Sequence, residues 1–469
     1  MKTLFNDFKI TDPNFVYIPL FAFLKKKIET KEIYKQLPSI RKVSSFLNIS
    51  SNTVAKAYLE LEKINYIEVY KGKGTFVNKS IFSNIHLKFD SIEHEDLNLI
   101  TQNKIYFDFI SSAPNLSFLP VKEIKKAINY ILDRDLELSL INEGPLGNLE
   151  LRTTIQKNLY KQNITSNINS IQILSGAQQG IDLISKTLAF SKDNIIVENP
   201  TYLGALSTFK KLNLNIIKIP LKADGIDIIE LKKILLKFPI KFLYLMTNFQ
   251  TPTGITLSLE KSKTLLLLAK TFNFYIIEDD SSSDLYYSNN PPHSLKSLDI
   301  NNRVIYIKSF SKIFMPGFRL GFAIIPEQIL NSFLNNKILS DSNTSTLYQK
   351  AFAYLLKEGL IERHMSSSRK SFKNIQALLI QELNKIDDIH FSIPCGGCSL
   401  WIKLPENISS KSLYNKLLLS GVGIVPGYNY SESFDNYIKL NFSRITKKEI
   451  TEGIRHLKEA IEYFQFLNI

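Results

Sequence analysis

Six short apolar runs, I-Q-I-L at 171–174, I-I-V at 195–197, F-L-Y-L-M at 242–246, F-Y-I-I at 274–277, V-I-Y-I at 304–307 and L-G-F-A-I-I at 320–325, are separated by stretches of helical periodicity such as 178–189 and 258–272. Strands apolar on both faces that alternate with helices build a mostly parallel sheet covered by helices, because each crossover lays a helix over the sheet. The expected class is therefore α/β. Ligands of such sheets bind outside the carboxyl ends of the strands, so the polar residues that follow each run are the first candidates for chemistry.

At 469 residues, 44% of them hydrophobic, the chain exceeds one simple core and is expected to form two or three domains. No apolar run approaches the ~18 to 20 residues that span a bilayer. The opening M-K-T-L-F-N-D-F lacks the apolar core of a secretory signal, so a cytoplasmic protein with no membrane partner is expected. Cys395 and Cys398 are the only cysteines, too few for a disulfide framework or a four-thiolate zinc site. His86 and His94 have no ligand cluster at metal spacing, and no metal is expected.

The fifth run leads into S-F-S-K-I-F-M-P-G-F-R at 309–319. Lys312 sits between an apolar strand and a Pro-Gly turn, with Ser309 and Ser311 beside it and Arg319 seven residues on. Such a lysine condenses with an aldehyde, and the hydroxyls and guanidinium suit a phosphate; the combination suggests pyridoxal 5′-phosphate. The pattern S-x-S-K-x6-R resembles the cofactor-lysine segment of fold-type I aminotransferases, with Lys312 as the Schiff-base lysine.

Three other strand ends extend that resemblance. S-G-A-Q-Q-G at 175–180 opens a helix whose free amides can receive a phosphate. It resembles the family's phosphate cup, with Ala177 and Gln178 at the contacting positions. In E-N-P-T-Y at 198–202, Tyr202 matches the aromatic that stacks on the pyridine ring. In I-I-E-D-D at 276–280, Asp279 matches the carboxylate that keeps the pyridine nitrogen protonated, which makes the ring an electron sink.

The N-terminal segment has a different character. Residues 1–80 hold 14 Lys and Arg against 7 Asp and Glu, a net of +7 out of +14 for the whole chain. A basic excess concentrated in a small segment is the footprint of nucleic-acid binding. Phe21, Leu24 and Ile28, then Ile40, Val43 and Leu47, then Val54, Tyr58 and Leu61 mark three amphipathic helices. Ser39 and Ser50 stand at the N-cap positions of the second and third. After this helix-turn-helix, I-E-V-Y-K-G-K-G-T-F-V reads as a two-stranded wing turning at Gly72 and Gly74.

L-P-S-I-R at 37–41, S-S-N-T-V at 50–54 and G-K-G-T-F-V at 72–77 resemble the winged helix of GntR-type transcriptional regulators. The resemblance implies that Arg41 holds a phosphate or base edge, that Asn52 and Thr53 enter the major groove of double-stranded DNA with Ser50, Ser51 and Lys56 as further DNA-binding residues, and that Gly72, Lys73 and Gly74 lie along the minor groove. Ser51 stands where the family often has arginine, so one guanine-reading contact is absent.

A winged helix at 1–78, a linker at 79–105 and an aminotransferase-like domain at 106–469, with a smaller C-terminal α+β subdomain, together resemble the MocR/GabR family of transcriptional regulators. That resemblance implies a homodimer, pyridoxal 5′-phosphate as cofactor, and a small amine, amino-acid or vitamin-derived effector. Four departures stand out. Thr251 replaces the asparagine, and Ser281 and Ser282 the tyrosine, that bond the cofactor's phenolic oxygen. Asn142 replaces the tyrosine lent to the partner subunit. Lys439 in I-K-L-N-F-S stands where the arginine for the substrate carboxylate belongs, with Arg444 the nearest substitute cation for an effector. The expectation is a sensor whose domain is catalytically weak or inert; the alternative is a working aminotransferase with an accessory basic domain.

Overall fold

The computed structural model describes residues 5, 8, 16–30, 32–33, 35–64, 66–70, 74–78, 105–310, 316–341 and 343–467. Ser311, Lys312, Gly72, Lys73, both linker histidines and all of the expected linker but its last residue lie outside the described residues. The chain divides into two compact units, Met1–Asp90 and Ser91–Ile469. Among the described residues no helix is long and apolar enough to cross a membrane.

In the first unit, helices α1 (Tyr17–Glu29), α2 (Ile40–Leu47) and α3 (Ser51–Lys63) precede strands β1 (Ile67–Tyr70) and β2 (Gly74–Val77). Both expected caps form: Ser39 Oγ accepts from the Lys42 amide and Ser50 Oγ from the Thr53 amide, each worth about 1 kcal/mol. Asn48 closes the turn between α2 and α3 with φ of 52°, a left-handed conformation that asparagine tolerates. Leu20, Leu24 and Ile28 of α1 join Val43 of α2 and Val54, Ala57, Tyr58 and Leu61 of α3 in one core. Each large side chain buried there contributes roughly 1.5–3 kcal/mol. The antiparallel ribbon pairs Ile67 with Val77 and Tyr70 with Gly74. Gly74 has φ of 116°, a backbone conformation that favours glycine over any residue with a side chain.

The second unit begins with β3 (Phe107–Asp108), α4 (Val121–Asp135) and α5 (Leu149–Tyr160). It continues through β4 (Ile171–Leu174), α6 (Ala177–Leu188), β5 (Asn194–Asn199), α7 (Leu203–Lys211), β6 (Asn215–Lys222), β7 (Gly225–Ile226), α8 (Ile228–Lys237), β8 (Phe242–Leu245), α9 (Leu259–Thr271), β9 (Tyr275–Asp279), β10 (Val304–Ser309) and β11 (Gly321–Ile324). These strands form one sheet in the order β4-β11-β10-β9-β8-β5-β6-β7. The run β10-β9-β8-β5-β6 is parallel, whereas β11 is antiparallel to both neighbours.

The two-residue period of the strands explains why their runs are apolar throughout. Ile195, Val197, Ile277, Ile305 and Ile307 pack under α6 and α7 with Ile181, Ile184 and Phe209. Their neighbours Ile196, Ile276 and Val304 pack on the other face with Leu231 and Leu235 of α8 and Leu265 and Ala269 of α9.

Helices α10 (Glu327–Ser340), α11 (Thr346–Lys357) and the 24-residue α12 (Leu360–Leu383) lead to the smaller subdomain. It holds β12 (His390–Phe391), β13 (Ser399–Lys403), α13 (Ser410–Leu419), β14 (Val422–Gly423), β15 (Val425–Pro426), β16 (Tyr437–Asn441) and α14 (Lys447–Leu467). Its sheet runs β12-β13-β16-β15, antiparallel throughout. Phe372 and Leu379 of α12, Leu413 of α13 and Ile454 and Leu457 of α14 share one core with Leu400, Ile402, Ile438 and Leu440 of that sheet.

Candidate cofactor and DNA-binding sites

Strand register brings the expected cofactor residues to one edge. In the parallel pair β9 and β10, Ile307 lies opposite Asp279, the last residue of β9, and Ser309, the last of β10, follows two residues on at the same end of the sheet. Ser309 pairs with Gly321 and Gly321 with Leu174, which places Arg319, just before β11, beside Ser175 and Gly176, just after β4. Arg319 Nη2 donates to the Ser175 carbonyl at 3.3 Å. Arg319 itself has φ of 51°, a left-handed backbone that costs a non-glycine residue about 1–2 kcal/mol and is met at ligand sites.

Gly176, at the N-cap of α6, has φ of 93°, and a Cβ there would come within 2.7 Å of Arg319 Nη2. The helix N-terminus with Ala177 first, the Arg319 guanidinium and buried Ser309 thus form a cradle that a side chain at 176 would fill. Amides at a helix start and a guanidinium are the donor set for a phosphate. Ser175 Oγ donates to Asp341 Oδ2 at 3.3 Å and lies 3.2 Å from Thr344 Oγ1. Gln178 does not spend its side-chain donor on the cradle: Nε2 donates to the Gly204 carbonyl and Thr208 Oγ1, at 3.1 and 2.8 Å. Its Oε1 is buried without a partner, as is Thr201 Oγ1. Tyr202 stands at the N-cap of α7.

Asp279 is 2% exposed. Its Oδ2 accepts from Tyr244 Oη at 2.8 Å, and its Oδ1 from the Ser281 amide at 3.1 Å and the Ser281 hydroxyl. A carboxylate fixed in place by three donors is oriented to meet a protonated ring nitrogen. Tyr244 was legible only as one hydroxyl inside F-L-Y-L-M. Its partnership with Asp279 depends on β8 and β9 being neighbours, which spacing does not reveal.

Glu198, at the end of β5, was also missed. Its Oε2 accepts from the Met246 amide at 3.1 Å and Gln250 Nε2 at 3.3 Å. Burial pushes its carboxyl up to about 8, with the nearby Asp279 charge adding to the shift. A carboxyl raised from about 4.5 to about 8 stabilises the fold fully below the lower value and loses that contribution as pH rises through the upper one. Glu198→Gln is therefore expected to flatten the decline in folding stability between pH 5 and 8, by an amount on the order of a few kcal/mol at most. Thermal melts of both proteins across that range check this, and parallel curves would contradict it.

The remaining expected residues are placed as follows. Lys439 on β16 is 8% exposed and lies opposite Trp401 of β13 and Val425 of β15. Arg444 is half exposed and pairs with Asp108 at 3.6 Å. Ser281 and Ser282 are buried, Thr251 is half-buried, and exposed Asn142 accepts from the Gly144 amide at 2.7 Å. In the winged helix, Arg41, Ser50, Ser51, Asn52 and Lys56 are exposed. Several of the DNA-binding candidates have local duties: Thr53 Oγ1 lies 2.9 Å from the capping Ser50 Oγ, and Lys56 Nζ sits 4.0 Å from the centre of the Tyr17 ring. Ser51 Oγ donates to Ser44 Oγ at 3.2 Å, which leaves Arg41 and Asn52 as the least encumbered of the set.

Comparison with known proteins identifies two matching regions. The model of aminotransferase class I and II matches residues 112–457, and that of the bacterial regulatory proteins of the gntR family matches residues 21–77. The uncharacterized HTH-type transcriptional regulator YisV of Bacillus subtilis is 28% identical, covering 93% of this chain and 94% of its own. The HTH-type transcriptional regulator NorG of Staphylococcus aureus is 29% identical, covering 90% and 97%. Among solved structures, the Pyrococcus horikoshii kynurenine aminotransferase in complex with PMP is 31% identical, with a TM-score of 0.76 over 82% of this chain and 98% of that one. The chain belongs to the aminotransferase class I and II family and carries a GntR-type helix-turn-helix domain ahead of it, the MocR/GabR arrangement of transcriptional regulators.

Proposed function

We propose that the protein is a pyridoxal-phosphate-dependent transcriptional regulator: residues 1–78 bind promoter DNA, 79–105 link, and 106–469 hold the cofactor and sense an amine, an amino acid or the cofactor itself. The carrying observation is a GntR-type domain with both caps formed and Arg41 and Asn52 exposed, on the same chain as an aminotransferase core in which Arg319 lies against Ser175 and Asp279 is held by Tyr244, a geometry that supports a phosphate at the first and a ring nitrogen at the second. The cradle at Gly176 and Arg319 suits the phosphate, Tyr202 the ring face and Asp279 the ring nitrogen, while Lys312 is the residue to condense with the aldehyde. When bound, the cofactor supplies an electron sink. The chain's own residues fix its orientation and, through Lys439, meet the effector.

Exposed Leu136, Leu138, Leu140 and Ile141 around Asn142 support a homodimer, since a run of exposed leucines fits an interface better than solvent. A cytoplasmic setting follows from a DNA partner. The aminotransferase relatives keep one second reading open, a working transaminase that also binds DNA.

The purified protein is expected to be yellow, and Lys312→Ala to lose that visible band completely. Identical spectra for the two proteins after cofactor is added would refute the lysine assignment. In parallel, wild-type protein should retard its own upstream DNA in preference to unrelated duplex of equal length; equal retardation of both would remove the regulator reading.

A further inference from the structure

Glu278, Asp279 and Asp280 are consecutive carboxylates, 0%, 2% and 2% exposed. Three buried acids in succession need separate compensation, because an uncompensated buried charge is costly. Strand alternation sends Asp279 to one side and its neighbours to the other. Glu278 is met by the Thr247 hydroxyl and the amides of Leu295 and Lys296, and burial with the Asp280 charge lifts its carboxyl to about 7. Asp280 is met differently. Its Oδ2 accepts from Tyr306 Oη at 2.6 Å, from Ser283 Oγ at 2.7 Å and from Lys308 Nζ at 3.3 Å.

Lys308 lies on β10, one residue before Ser309, and is 5% exposed. Its ammonium gathers the whole turn after Asp279: besides Asp280, it donates to Ser283 Oγ at 2.6 Å and pairs with Asp284 Oδ2 at 3.1 Å. Burial alone would favour the neutral amine, but Asp280 and Asp284 outweigh it and hold Lys308 above the usual lysine range. Among the described residues it is the one cation paired with any of the three acids. The far end of the turn is fixed by α12, where Arg369 Nη1 donates to the Asp284 carbonyl at 3.3 Å and its guanidinium lies 4.4 Å from the Tyr286 ring centre. Inside this closed turn stands Ser281, whose amide and hydroxyl hold Asp279 Oδ1.

We propose that Lys308 is a positioning residue for the cofactor: by tying Asp280, Ser283 and Asp284 to one ammonium it fixes the turn that presents Asp279 to the ring nitrogen. It also cancels a negative charge next to that carboxylate. The inference rests on the cofactor reading above and adds a residue that touches neither cofactor nor effector. The titratable and charged groups around the turn are Glu278, Asp279, Asp280 and Asp284, with Tyr244 from β8, Glu198 from β5, Tyr306 from β10 and Arg369 from α12. Removing the ammonium makes the site more negative, so a proton on the bound cofactor is held more tightly.

The test compares wild type, Lys308→Met and Lys308→Arg as full chains, reading the dissociation constant for pyridoxal 5′-phosphate and the pH midpoint of the visible band. The expected result for Lys308→Met is affinity weaker by about tenfold, by analogy with the low end of the loss when a partner that orients a metal ligand is removed, and a midpoint moved upward, with Lys308→Arg returning both toward wild type. A folded Lys308→Met with wild-type affinity and midpoint overturns the proposal. Should Lys308→Met fail to fold, Asp284→Asn removes one of the two ion pairs at a partly exposed position and is expected to weaken cofactor affinity; unchanged affinity there overturns it equally. Wild type that takes up no cofactor would instead sink the cofactor reading itself, so the two failures are distinct.

Discussion

Amino acids supplied with 2-oxoglutarate to the cofactor-loaded protein are expected to turn over far below the ~1–10³ per second of ordinary enzymes. The reason lies on β16. Lys439 is nearly buried between Trp401 and Val425, in a face that also carries Tyr437, whose ring stacks on Trp401 at 5.2 Å. Arginine grips a carboxylate with two parallel hydrogen bonds, whereas lysine offers one flexible, strongly hydrated charge. Binding of an amino acid survives such an exchange better than proton transfer at its Cα, where a small misplacement costs ~100-fold in rate. Arg444 is half exposed and paired with Asp108, so its charge is already committed elsewhere. Lys439→Arg is therefore expected to raise turnover by roughly 10- to 100-fold. Steady-state assays over a panel of amino donors check both statements, and wild-type rates in the ordinary range would promote the transaminase reading.

Affinity for DNA is expected to fall by about a thousandfold between 50 and 200 mM salt, the behaviour of a protein that neutralises roughly six phosphates. Arg41 and Lys42 open α2, Lys56 projects from α3, and all three are exposed. Arg41→Ala in the full chain should weaken binding to every sequence and lower the salt slope by about one. Asn52→Ala should instead cost about 1–3 kcal/mol on the preferred site and little elsewhere, because exposed Asn52 in the first turn of α3 is placed to read a base edge. Salt titrations on preferred and unrelated duplexes separate the two; a flat salt response would contradict the DNA-binding assignment.

The parts of this fold that depend on local chemistry were legible from residues alone. Ser39 and Ser50 cap their helices because a short hydroxyl before an apolar repeat has few other uses, and Gly74 needs the positive φ that its place in a two-stranded ribbon implied. The alternation of apolar runs and helices implied a mostly parallel sheet, and the strand order then put Asp279, Ser309 and Arg319 at one edge. What stayed hidden depends on which strands become neighbours. Tyr244 reaches Asp279 only because β8 lies beside β9, and Lys308 reads as a stray charge in V-I-Y-I-K-S until β10 sets it against the turn after β9. Gln178 adds a contact that spacing does not reveal: its position in S-G-A-Q-Q-G suggests a backbone amide for the phosphate, while its side-chain donor is committed to α7.

The most direct measurement is the dissociation constant of the full-length protein for its own upstream DNA in three states: cofactor-free, loaded with pyridoxal 5′-phosphate, and loaded in the presence of candidate amines and amino acids. The account predicts that at least one pair of states differs by about 5- to 150-fold, the range of ordinary allosteric coupling. It predicts too that Lys312→Ala abolishes the difference between cofactor-free and loaded protein. The same constant in all three states, across the panel, would contradict the claim that the aminotransferase-like domain governs the winged helix.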